Sequence, residues 1–227
     1  MRTNTITAAT ALLATALATT SCSTDSPQPA STNSTAASST VPIPSFPYPP
    51  IQFAWEIASP MNERDSEVAR FALEVESLER TWIASHEDES LLPGINARVG
   101  HTNKPLPLDH RTLPETGGRL FRAVGVGKES DSQWTVTICE YDTPGVYKMG
   151  NDGELILSSP NESYRVVRST VASTTEKSGS GDNSATPRLL VMNNSDVDYN
   201  ETARRTCEPF RPDPYIQQPP QPISPGK

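Results

Sequence analysis

The sequence predicts an α+β domain: one long amphipathic helix packed on a curved antiparallel sheet of about four to five strands, set between a disordered N-terminal tether and a Pro-rich C-terminal tail. Three observations predict it. One stretch repeats its apolar residues at spacings of three and four, and several later stretches alternate with period two. Both ends are too rich in Pro, Ser and Thr to bury a core. What lies between them, about 155 residues, is the size of one domain.

The elements follow in chain order. Arg2 is the only charge before Asp25, and the run from Ile6 to Ala18 contains no charge, Pro or Gly. A positive start, a short apolar run and small residues behind it make a secretory signal peptide, expected over residues 1–21. The 13-residue run is short of the roughly 20 apolar residues that cross a hydrocarbon core. Two cleavage sites compete. Ala16-Leu17-Ala18 suits an A-x-A site that would release a soluble, secreted chain beginning at Thr19. Thr19-Thr20-Ser21-Cys22 resembles the bacterial lipobox, with Thr19 where Leu is preferred. That resemblance implies that Cys22 is diacylated and becomes the first residue of the mature protein. The cysteine count favours the lipid: of three Cys, a modified Cys22 leaves Cys139 and Cys207 as an even pair.

Residues 23–50 hold eleven Ser or Thr, seven Pro and a single charge. Such a segment cannot offset the entropy of its own ordering, and behind a lipidated Cys22 it reads as a tether over residues 22–50. The tail mirrors it, with seven Pro in the 21 residues from Cys207. Phe210, Tyr215 and Ile216 are expected to pack back on the domain, with the rest of 208–227 loose.

The single domain is expected over residues 51–207. Its clearest element is a helix in which Val68, Phe71, Val75, Leu78 and Trp82 form one apolar stripe. Asp65 or Ser66 is the expected cap, Glu76 and Arg80 an i,i+4 pair, and Leu92-Pro93-Gly94 the stop. Residues 93–118 read as loop. Strands are expected at 119–126, 133–141, 145–158, 163–174 and 188–192. Thr143-Pro144-Gly145-Val146 suits a type II turn, Asn151-Asp152-Gly153 a hairpin, and 175–187 a polar loop.

A leader, a lipobox-like quartet and a Ser/Thr/Pro tether ahead of a helix and meander resemble the small lipoproteins of actinobacterial cell envelopes. Within these, the strand QWTVTICEYDTPGVY, the late Cys207 and the Pro-rich end resemble a group with a nuclear-transport-factor-2-like cone domain. The resemblance spans roughly residues 63–207 and implies the fold, with one clear helix where the cone usually has three. It transfers no active site.

Charge and chemistry narrow the function. The chain carries a net charge of −8, and loss of Arg2 with the leader makes it −9, with no basic cluster for nucleic acid. Anionic lipid heads would repel it, so membrane attachment must come from acyl chains. Cys139 and Cys207 are too far apart for a C-x-x-C motif, and in an exported chain a disulfide between them is expected. Two separate buried thiols are the alternative. His86, His101 and His110 lack metal-ligand spacing, and no cofactor is implied. Trp134, Val136, Ile138, Glu140 and Asp142 share one face of a strand, so Trp134, Glu140 and Asp142 could line the mouth of a pocket. The alternative is carboxylates that reach solvent where the strand ends.

Together these features point to a lipid-anchored protein on the extracytoplasmic face of the cell membrane, non-catalytic, with a binding or scaffolding domain for another envelope protein. The alternative is a secreted protein whose pocket binds or acts on a small apolar molecule.

Overall fold

The computed structural model describes residues 46–58, 60–85, 87–105, 113–159, 164–197 and 201–223. All of them fall in the compact unit Pro44–Lys227. Its first element is one that composition hides. Directly after the Pro-rich run, Gln52–Ile57 (QFAWEI) forms a strand, β1. It pairs in parallel with β2, Glu115–Ser130. Parallel neighbours need a long connection, and the helix α1, Glu63–Ala84, lies within it.

From β2 the chain turns back on itself. β2, β3 (Gln133–Met149), β5 (Tyr164–Thr174) and β6 (Arg188–Val197) pair antiparallel in that order, and β4 (Leu155–Leu157) adds to the far end of β3. The domain is therefore α+β, but its sheet is mixed and open, with six strands. The expected antiparallel sheet of four to five strands is corrected by β1, which enters beside β2 and runs the same way. The long helix is also not alone. Among the described residues two short ones accompany it, α2 (Leu92–Asn96) and α3 (Glu201–Cys207).

α1 begins earlier than the expected caps at Asp65 or Ser66. Asn62 caps it, its side chain accepting from the Asp65 amide at 2.9 Å, and Glu63 and Asp65 then sit favourably at the positive end. The helix ends at Ala84 with Ser85 as its C-cap. Leu92-Pro93-Gly94 is not its stop but the opening of α2, where Pro in the first turn lacks an N–H that has no partner there anyway. The buried face is Val68, Ala69, Ala72, Leu73, Val75, Glu76 and Trp82, while Phe71 and Leu78 are half-buried at its margins. Two small alanines let the helix settle close to the sheet, which turns the stripe towards them. Beneath lie Phe121, Ala123, Val136, Ile138, Val167, Val171 and Val191. Each large apolar side chain so enclosed contributes about 1.5–3 kcal/mol.

The expected turn at Thr143-Pro144-Gly145-Val146 does not form. β3 runs straight through it, with a cis Thr143–Pro144 bond. Across the ladder the register slips between Gly118 and Leu120, so Pro and Gly are absorbed in an irregularity of paired strands. Gly145 (φ +112°) and Gly117 (φ +95°) supply the backbone freedom, and a Cβ on Gly117 would stand 1.9 Å from the Gly145 carbonyl oxygen. Asn151-Asp152-Gly153 does turn the chain, with the Gly150 amide donating to the Glu154 carbonyl at 2.8 Å, Gly153 at φ +83° and β4 following.

A second, smaller core covers the other face of the sheet. It joins Cys139, Tyr141 and Val166 to Ala203 and Cys207, with Leu120, Val124 and Tyr215 packed against it. A disulfide links Cys139 to Cys207 across 68 residues of chain. Beyond it the tail is tied down further than expected. Arg122 donates to the Phe210 carbonyl. Tyr215 Oη donates to the Asp142 carbonyl at 2.8 Å, and the Thr143 hydroxyl to that of Ile216 at 3.1 Å. The Gln218 amide reaches the Pro144 carbonyl at 2.6 Å, and the Ile223 amide that of Pro47 at 2.7 Å. The rest of the tail is thus a strap as far as Ile223, because backbone groups of Pro47 and Pro144 accept from it.

Candidate functional site

The helical period brings Glu76, Glu79 and Arg80 to one side of α1, over the sheet. Strand alternation raises Arg119 from β2, Glu140 and Asp142 from β3, Arg165 from β5 and Asn194 from β6 towards them. The register makes this possible: Glu140 stands opposite Phe121 on one side and opposite Arg165 on the other. The result is a cluster of carboxyls and guanidiniums between helix and sheet, beside the apolar core.

Glu140 is its centre and is only 4% exposed. Its Oε2 accepts from Arg165 Nε at 2.6 Å and lies 2.5 Å from Arg165 Nη2. Its Oε1 is 3.1 Å from Arg119 Nε, and Arg80 Nη2 is 3.8 Å from Oε2. Arg119 Nε also donates to Asp142 Oδ1 at 3.0 Å. On the helix, Arg80 Nε donates to Glu76 Oε1 at 2.8 Å, the pair expected from its spacing. Asn194 Nδ2 donates to Glu79 at 3.2 Å and reaches Glu76 at 3.5 Å.

Enclosure governs the ionisation of these groups. Burial pushes Glu140 up to about 7, against the pull of Arg119 and Arg80 and with a further push from Glu76 and Asp142. Burial, then the charge of Glu76, pushes Glu79 up to about 7 as well. Burial pulls Arg119 down, but Glu140, Asp142 and Glu115 outweigh it and hold the guanidinium above its ordinary value. Carboxyls poised near neutrality can hold or release a proton under mild conditions.

The sequence-derived candidates are therefore divided. Glu140 and Asp142 do come together, joined by Arg119, as members of an ion cluster. Trp134 does not join them. It lies six residues back from Glu140 along the same strand, roughly 20 Å away at 3.4 Å per residue. There Arg64 stacks on its ring at 4.6 Å, beside an open groove of about 490 Å³ between the start of α1 and the β2–β3 turn. A second open groove, about 410 Å³, lies on the far side of α1 between Trp55, Leu78 and Leu91. Cys22 lies outside the described residues, as do His86 and His110, whereas His101 sits exposed on a 3-10 turn. Among the described residues no group of three or more His, Cys, Asp or Glu is placed to hold a metal.

Reading the sequence singled out the carboxylates of the strand but missed Arg119, Arg165, Glu79 and Asn194. The signal for Arg165 was an arginine on the apolar face of its strand, in line with Val167 and Val171. For Arg119 it was an arginine two residues before the buried Phe121. Compared with protein-family models, curated proteins and solved structures, the chain finds no match.

Proposed function

We propose that this is an exported envelope protein, held to the outer side of the cell membrane by a lipid on Cys22, whose domain serves in binding or scaffolding and not in catalysis. The observation that carries the reading is the Cys139–Cys207 disulfide. Disulfides persist in oxidising compartments, and this one uses two of the three cysteines, leaving the one that follows the leader-like run. No helix among the described residues is long and apolar enough to cross a membrane. Two acyl chains would suffice for stable attachment, and residues 23–50 would let the domain stand away from the bilayer.

A non-catalytic role is supported by the use to which the chemically capable side chains are put. Glu140 and Asp142 are engaged by arginines between helix and sheet. The cone-domain affiliation belongs to the same proposal and is supported by a long helix over one face of a sheet whose bulges favour curvature.

The test is the mass of the N-terminal peptide, taken separately from membrane and medium after expression of the full chain in an actinobacterial host. A diacylglyceryl-modified peptide beginning at Cys22, found in the membrane, is the expected result. A free peptide beginning at Thr19, found in the medium, would sink the anchor.

A further inference from the structure

Beneath the second half of α1 the described residues set four carboxyls, Glu76, Glu79, Glu140 and Asp142, against three guanidiniums, Arg80, Arg119 and Arg165. Glu76, Glu140 and Asp142 each meet a guanidinium nitrogen within 3.1 Å. Glu79 is held differently. Its hydrogen bond comes from the neutral amide of Asn194 at 3.2 Å, and Glu76 precedes it by three residues on the same helix. An enclosed site with one surplus negative charge relieves it by keeping a proton.

We propose that Glu79 keeps that proton in the folded protein and acts as a proton-operated latch, clamping the second half of α1 to the sheet and loosening it when the proton leaves. Asn194 supplies the matching partner. Its Oδ1 is buried and receives no hydrogen bond among the described residues. Turned over, the same amide would accept from a protonated Glu79 as readily as it donates to an ionised one.

The charged groups that act on Glu79 are Glu76 and Arg80 on its own helix, and through Arg80 the cluster continues to Glu140 on β3 and from there to Arg119, Asp142 and Arg165. β6 contributes the neutral Asn194. Burial and the Glu76 charge outweigh Arg80 and the Asn194 bond, and Glu79 rises from 4.5 to about 7. Glu140 reaches the same range, but the arginines that converge on it favour its ionised form. The folded chain then holds a proton that the unfolded chain has released. Through Glu79, stability falls as pH rises from 4.5 to about 7, and its share of the unfolding constant grows by no more than about tenfold per pH unit.

Urea unfolding of the full-length chain in mild detergent, at about pH 5.5, 7 and 8.5, reads the effect. The wild-type midpoint is expected to drop between the first two values. Glu79→Gln, equal in shape and uncharged, is expected to flatten that drop and to exceed wild type at the highest pH. A wild-type midpoint that does not move, or a variant that falls as steeply, overturns the proposal. Should Glu79→Gln not fold, Glu76→Gln takes its place. Without the neighbouring charge the drop moves to lower pH, and a drop that stays where it was overturns the latch.

Discussion

Three guanidiniums turn towards the carboxylate of Glu140, and each is itself drawn from water to reach it. Such an arrangement does not by itself make a protein more stable than an apolar core would. Its weight shows when one partner is lost, because the others remain enclosed and uncompensated. Arg165→Gln removes the cation nearest Glu140 and leaves that carboxylate enclosed. Measured by urea unfolding at about pH 8, where the carboxylate is ionised, the variant is expected to lose about 3–5 kcal/mol. A loss below about 1 kcal/mol would mean that water already screens the carboxylate.

At the scale of elements, α3 and the strap are held to the sheet by one covalent bond and a few backbone contacts. Cys139 and Cys207 close a loop of 68 residues, for which chain entropy gives about 4 kcal/mol. Replacing both by Ser is expected to lower stability by about 2–4 kcal/mol, seen as a fall in the urea midpoint. Because the strap's own contacts are few, limited digestion with chymotrypsin is expected to cut it after Tyr215 first in that variant, while the α1 face stays intact. Equal cleavage in wild type and variant would show that the disulfide does not hold the strap.

These same elements mark what the chain made legible. α1 could be read because its face must bury one side of a 3.6-residue period, and β3, β5 and β6 because alternation places Val136, Ile138, Val167 and Val191 in one core. Glu140 and Asp142 followed from the same alternation. Their partners did not, because pairing depends on which strands become neighbours, and Arg165 stands 25 residues from Glu140. β1 was masked by the prolines before it, and α3 has too few residues to show a period. The turn expected at Thr143 failed for another reason. Local preference for Pro-Gly gave way to the pairing of two long strands that could absorb it.

At the scale of the molecule, the tether and the domain have separate tasks under the anchored reading. The described residues belong to one unit that begins at Pro44, and its buried apolar residues run from Ile51 onward. Proteolytic trimming of the mature chain near residue 40 is therefore expected to release the domain from the membrane while moving its urea midpoint by less than about 0.5 kcal/mol equivalent. A larger loss would assign the tether a packing role.

The bond from Ile223 to Pro47 brings the two ends of the folded unit side by side. The polypeptide is in effect a nearly closed ring. A short linker could join those ends, and the ring could then be cut open at the Asp131–Ser132 turn, whose residues are exposed and which lies at the other end of β2. The circular permutant would keep every strand neighbour and both cores, yet, under the anchored reading, would hang by the opposite pole. The surface offered to the outside would be exchanged without altering a single packed side chain.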